Sequence, residues 1–304
     1  MRRRNERGMA LLVVLALVTL LAALVSEVAF SSLVDLRLAE TYRDTTRAAY
    51  LARGGLRLAQ RIIATDHNDY DGDDERWARK ISDFPVGDCG RISIAASAED
   101  GKINVNNLVN RFGNVNVKVR NRLLRLFEVL EIDDPVARTD ALIDWIDRDD
   151  IARPHGIESA GYAALEPARR CANAPLHSVD EIIHVYGFDA DMLVKLRPHI
   201  TVFGGECKCV NAASAPVLYA LADGMDMDSA AAIVARRQLK PFRTLEELQE
   251  LPGWQRFYWA LKSHLRVKAD FYRVECSASV NDGYASLTAV VDKAHNSLAY
   301  FKVN

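Results

Sequence analysis

The sequence predicts an α+β protein: a long N-terminal helix packed on an antiparallel sheet, with a large all-α domain inserted between the strands. Three observations carry this expectation. An apolar N-terminal stretch runs directly into a helical period that persists to about Ile63. Strand-like alternation is confined to residues 91–105 and 265–303. Between these, from Asn106 to about His264, the pattern is almost wholly helical. At 304 residues and 49% hydrophobic, the chain is long enough to bury two cores.

The formal charge of −2 conceals an asymmetry. Residues 1–8, MRRRNERG, hold four arginines and one glutamate, so the rest carries 35 basic against 40 acidic residues, or −5. That balance gives no global basic footprint for nucleic-acid binding. Five cysteines are too few for a small disulfide scaffold.

Met9–Val25 contains one polar residue, Thr19. As a helix it covers roughly 25 Å, slightly short of a ~30 Å hydrocarbon core, and Val28, Ala29 and Phe30 extend it past Ser26 and Glu27. Arg2, Arg3, Arg4 and Arg7 flank the entry side, which the positive-inside rule assigns to the cytoplasm. The remainder is then expected outside the inner membrane, as the C-terminal part of a single-pass protein. No small-x-small cleavage site with a helix breaker follows, as a removed secretory signal would require. Instead Leu33, Leu36, Ala39, Tyr42, Tyr50, Leu51, Leu58 and Ile62 keep the helical spacing, with Gly54-Gly55 the expected point of bending.

Residues 66–90 read as a solvated acidic connector. An EF-hand grid with Gly72 at its sixth position puts His67 first and Ala78 last, and neither suits calcium. Arg91–Ala98 and Lys102–Val105 alternate as short strands around Glu99-Asp100-Gly101. Helices are expected at 117–131, 136–147, 179–186, 189–196, 212–221, 228–238, 244–250 and 254–264. Strands return at 265–280, 284–292 and 297–303, with Asn281-Asp282-Gly283 as a hairpin signal.

The densest chemistry lies in ALIDWIDRDDIARPHGIESAGY, residues 141–162. Asp140, Asp144 and Asp147 share one helix face, and Asp149 and Asp150 follow where the helix ends before Pro154 and Gly156. Anions at a helix C-terminus oppose the macrodipole and one another. The carboxylates Asp144, Asp147, Asp149, Asp150 and Glu158 suit a hard cation, calcium outside the cytoplasm. On spacing alone a solvated acidic loop remains open beside that reading. No aromatic platform supports a glycosidase-like pair.

Two resemblances sharpen these readings. The leader ending in Gly8, followed at once by GMALLVVLALVTLLA, resembles the class III signal of type IV pilins and pseudopilins. It implies a prepilin peptidase that cuts after Gly8 and methylates Met9, with the helix retained. Most pilins carry Glu at the fifth mature position, where this chain has Val13. A carboxylate in hydrocarbon needs a partner, which in pilins is the N-terminal amine of the subunit above, so Val13 suits the filament tip.

The run DWIDRDD…GIESAGY, NAPLHSVDEIIHVYGFD at 173–189 and CVNAAS at 209–214 resemble the minor pseudopilin K family of the type II secretion system. With the signal and Val13, this resemblance covers essentially the whole chain. It implies a leader at 1–8, a transmembrane helix at 9–30, and a pilin-like head from 31–105 and 265–304. A helical domain at 106–264 is then the insert. It also implies bound calcium near the carboxylate loop, with Asp144, Asp147, Asp149, Asp150 and Glu158 as candidates. The implied partners are minor pseudopilins I and J and the pseudopilus filament, and the wide head extends the expectation to the secretin or secreted substrates.

Residues 210–254 also resemble a helix-hairpin-helix module, whose backbone amides bind phosphate in DNA-binding proteins. Here Asp223, Asp226 and Asp228 surround the Gly224 turn and would repel phosphate, so protein packing is the expectation and nucleic acid is not. A membrane-anchored periplasmic DNA-binding protein is the alternative; a signal-anchored hydrolase is a third. No G-x-S-x-G or Gly-rich phosphate loop occurs, so the expectation is a non-enzyme. Among Cys89, Cys171, Cys207, Cys209 and Cys276, a bridge from Cys207 or Cys209 to Cys276 is the disulfide the periplasm would permit.

Overall fold

The computed structural model describes residues 2–304, with side chains from Met9 onward. The leader's side chains, and with them the expectation of cleavage at Gly8, lie outside the described residues. Helix α1 spans Arg2–Ala64 and runs unbroken across Gly54-Gly55. Gly54 faces open space, whereas a Cβ on Gly55 would press into Ile92 and Ile94. Close packing, not bending, is what Gly55 provides.

The two halves of α1 meet different surroundings. Met9 through Leu38 present exposed apolar side chains along the whole helix surface. Further on, Ala48, Ala52, Leu56, Ala59 and Ile63 repeat at helical spacing and are buried. The small residues of this stripe let the helix axis approach the sheet closely, and Leu56 and Ile63 each contribute on the order of 2 kcal/mol of apolar burial.

The sheet contains β1 (Ile81–Val86), β2 (Gly90–Ala98), β7 (Phe271–Val280), β8 (Gly283–Asp292) and β9 (Ser297–Val303). Their order is β1-β2-β7-β8-β9, antiparallel throughout. Ile92, Ile94, Val274, Cys276, Ala278, Leu287 and Ala289 face the helix in one core. The β7–β8 turn docks on α1: Asn281 Nδ2 donates to Asp44 Oδ2 at 2.9 Å, and Gly283 lies against the Asp44–Thr45 backbone.

Because β2 and β7 are neighbours, the chain leaves the sheet after Ala98 and re-enters at Phe271. The intervening block holds β3 (Ile103–Asn104), α2 (Val117–Val129), α3 (Pro135–Ile146), α4 (Ser159–Ala163), α5 (Ala190–Leu196) and β4 (Ile200–Thr201). It continues with β5 (Lys208–Cys209), α6 (Ala215–Ala220), α7 (Met227–Leu239), α8 (Gln255–Leu261) and β6 (Leu265–Arg266). Its core is a second apolar cluster that includes Leu123, Phe127, Leu142, Ile182, Leu218 and Trp254.

Several expectations are corrected. Residues 265–280 form no single strand. Leu265–Arg266 pairs with β5, and the chain then turns where Asp71 and Asp100 accept the backbone amides of Ala269, Asp270 and Phe271 at 2.7 Å. Residues 103–104 pair in parallel with β4, not with β2. The block therefore spans 99–270 rather than 106–264, and the sheet strands resume at 271 rather than 265. Segments 179–184 and 246–250 are 3-10 turns instead of α-helices.

The acidic connector is not a solvated loop either. Asp71, Glu75 and Trp77 are buried, Trp77 meets Tyr272 edge-on at 5.0 Å, and an exposed edge strand, β1, grows from residues 81–86. No disulfide joins Cys207 or Cys209 to Cys276, and all five cysteines are free thiols. Cys207 points to the Ser263 carbonyl and Cys209 to that of Val267, while Cys276 packs in the sheet core.

Candidate functional site

Helix α3 begins with Pro135 at its first turn and buries Asp140 and Asp144 with its apolar face. Asp147 is its C-cap, where the last carbonyls already concentrate negative charge. The chain loops through residues 148–157 and returns with Glu158 as the N-cap of α4. Trp145 of α3 packs edge-on against Tyr162 of α4 at 5.3 Å. The Tyr162 hydroxyl accepts from the Tyr186 amide at 2.9 Å, fixing α4 to the rest of the block.

This closure brings Asp144, Asp147 and Glu158 together, with a carboxylate oxygen from each lying within 4.8 Å of the others. All three are buried. Asp144 Oδ1, Asp147 Oδ1 and both oxygens of Glu158 are sealed from solvent without a hydrogen-bond partner. Buried unpaired carboxylate oxygens are costly.

Desolvation, reinforced by mutual repulsion, pushes Asp144 and Asp147 up to about 6 and Glu158 up to about 7. Arg153 offsets this only in part: its amide donates to Asp144 Oδ2 at 3.1 Å and its Nε lies 3.7 Å from Oδ1. Three carboxylates with four orphaned oxygens in one dry pocket form the arrangement that holds a hard cation.

The other sequence candidates stand outside this cluster. Asp149 and Asp150 are exposed and turn their oxygens to the loop backbone, accepting from Ile151 at 3.0 Å and Ser159 at 3.2 Å. Asp140 faces His155 Nδ1 at 3.2 Å and Arg120 at 3.9 Å. One residue escaped the sequence reading: Asn173, whose amide donates to the Asp149 carbonyl at 3.1 Å while its Oδ1 is buried without a partner. Its distance along the chain gave no signal, and only its neutral oxygen marks it.

A second carboxylate group, Asp66, Asp71 and Glu75, is different in kind. Lys293 Nζ lies 2.8 Å from Asp66 and 3.5 Å from Asp71. Tyr272 donates to Asp71 at 2.6 Å, and Trp77 Nε1 to Glu75 at 2.9 Å. Its cation is a lysine, and its oxygens are engaged in tying the 66–77 strap to the sheet.

The hairpin at 210–254 places Gly224 at φ +73° between α6 and α7. Its acids are committed to protein contacts: Asp223 pairs with Arg125, and Asp226 pairs with Arg256 at 2.9 Å while capping α7. Val13 lies in the fully exposed apolar half of α1, a helix long and apolar enough to cross a membrane once.

Comparison with known proteins agrees with this architecture. The family described as "Type II secretion system (T2SS), protein K" matches in two parts, residues 101–205 and 210–268, together more than half of the chain. The type II secretion system protein K of Pectobacterium carotovorum is 27% identical over 92% of this chain and 90% of its own. That of Aeromonas hydrophila is 27% identical over 94% and 93%. The solved GspK-GspI-GspJ complex from the enterotoxigenic Escherichia coli type 2 secretion system contains a similar fold. It superposes at TM-score 0.73 and 18% identity over 88% of this chain and 99% of that one. The chain belongs to the type II secretion system protein K family.

Proposed function

We propose that this chain is a minor pseudopilin that forms the tip of a type II secretion pseudopilus and initiates its assembly, acting by helix packing and not by catalysis. The observation that carries this reading is the division of α1. One half is apolar and exposed along its length, and the other half is buried as the spine of the head. Such a helix is stable in a membrane or against other apolar helices, and in water it is not.

Arg2, Arg3, Arg4 and Arg7 favour a cytoplasmic leader and a periplasmic head. Prepilin peptidase would cut after Gly8 and methylate Met9, leaving the helix in place. Val13 asks for no charged partner from a subunit above it. The broad 99–270 block beside the sheet also suits the end of a filament better than its repeating body. The K subunit in the solved complex is assembled with I and J subunits, and the same partners are proposed here, with the secretin or secreted substrates as contacts of the exposed head.

Calcium is the proposed occupant of the buried carboxylates, held by Asp144, Asp147 and Glu158. When bound, it neutralises the charge of this pocket and ties the end of α3 to the start of α4. Asp149 and Asp150 add negative potential from the rim.

Co-expression with the I and J subunits tests the assembly reading. The expected result is a complex of one copy of each, purified through a tag on the I subunit; separate elution of this chain contradicts it.

A further inference from the structure

We propose that the cleft between α2 and α8 is a docking site for a protein segment presenting a carboxylate beside an apolar side chain. The cleft encloses about 530 Å³. Leu221, Phe257 and Leu261 supply apolar lining, Lys118 and Arg122 supply positive charge, and His264 lines the same cleft. It lies away from the calcium reading and stands independently of it.

Arg122 decides the chemistry. It is only 3% exposed, yet the one acceptor for its guanidinium is the Glu206 backbone carbonyl, at 3.5 Å. The Glu206 carboxylate is taken by Asn116, which donates to it at 2.6 Å. Burial lowers the Arg122 pKa, and the nearby Glu206 carboxylate offsets this in part. Among the described residues no carboxylate hydrogen-bonds to the guanidinium, so a buried five-donor fork lines the cleft with donors to spare. Nearby Arg125 and Arg256 differ, being paired with Asp223 and Asp226. The cleft's cations without a direct carboxylate contact are therefore Arg122 and Lys118. Burial, then Arg122 and Lys118, hold the His264 pKa below the ordinary imidazole range, with Glu206 opposing them in part.

The occupant follows from complementarity. A guanidinium fork matches one carboxylate in two hydrogen bonds, and the apolar lining beside it matches an aliphatic or aromatic side chain. An extended phosphate chain fits poorly, because the exposed Asp223 stands in the lining of the same cleft. On the adjoining face of α8, Trp259 is 75% exposed, with Lys262 over its ring at 5.5 Å. An exposed Trp is enriched among the anchors of protein interfaces.

The test is fluorescence anisotropy on the full chain in detergent micelles. One probe is a fluorescein-labelled peptide Glu-Leu-Glu-Phe-Asp with an amidated C-terminus. The others are its neutral isostere Gln-Leu-Gln-Phe-Asn and a fluorescein-labelled ten-nucleotide oligothymidylate. The acidic peptide is expected to bind roughly tenfold tighter than the isostere, as one charge-assisted fork predicts. Arg122→Gln is expected to abolish the preference. If that buried substitution unfolds the chain, the exposed Lys118→Glu decides, with an expected loss of at least severalfold for the acidic peptide alone. Equal binding of the two peptides, no binding of either, or tighter binding of the oligonucleotide overturns the proposal.

Discussion

Gly156 lies directly against the carboxylate of Asp144, with no room between them for a Cβ; the nearest backbone atom beyond is the Asp140 carbonyl oxygen, 3.2 Å from that Cβ position. The loop that carries Glu158 back to α3 therefore closes over Asp144 only because residue 156 has no side chain. A buried carboxylate is held in place by backbone, and its free oxygen is left facing Asp147 and Glu158.

Gly156→Ala forces the loop off Asp144. Overpacking of this kind costs about 1–3 kcal/mol, and the calcium-induced rise in melting temperature is expected to shrink or vanish with it. Differential scanning fluorimetry in chelator and in millimolar calcium measures both effects.

Glu158→Gln and Asp144→Asn separate binding from packing. In chelator the neutral isosteres are expected to melt at or above the wild type, because each removes a desolvated, repelling charge. In calcium the wild type is expected to gain about 5–10 °C at a hundredfold excess over its dissociation constant, and the variants little. Variants that melt lower in chelator and still respond to calcium would refute the site.

The pH dependence of the metal-free protein has a definite sign. The folded-state values of Asp144, Asp147 and Glu158 are raised above their ordinary ones, so between about pH 4 and 7 the folded state binds more protons than the unfolded. Their contribution is fully present below the unfolded values and is lost as pH rises through about 6 to 7. Chelated protein should thus lose stability across that window in a melting series, and calcium should flatten the curve. Calcium affinity should in turn fall on acidification through the same range.

The sheet offers an independent check on the head. A Cβ at Gly283 would meet the Asp44–Thr45 backbone, so Gly283→Ala should push the β7–β8 turn off α1. A loss on the order of 2 kcal/mol is expected, read as a lowered melting temperature in chelator and calcium alike. Asn281→Ala removes the 2.9 Å hydrogen bond to Asp44 and should cost about 1 kcal/mol.

How far these features were legible in the sequence depends on which forces place them. The α1 pattern was readable because an unbroken apolar run and then a helical period of buried residues are both written in neighbouring positions. Asp144 and Asp147 were readable for the same reason, as neighbours at the end of one helix. Choosing Glu158 over Asp149 and Asp150 required the path of the 148–157 loop, which backbone contacts at Gly156 decide. The strap at 66–77 was misread because its acids find partners far along the chain, Ala269, Tyr272 and Lys293. The edge strand β1 was missed because Asp83 and Pro85 break its alternation, and an edge position tolerates both. Asn173 carried no charge to attract notice.

The central claim, that α1 is a retained pseudopilin helix and not a removable signal, is tested most directly at the N-terminus. Intact-mass and peptide mass spectrometry of the chain extracted from membranes should find a mature protein that begins at N-methylated Met9. A chain that retains Met1, or one that begins near residue 30, would contradict it.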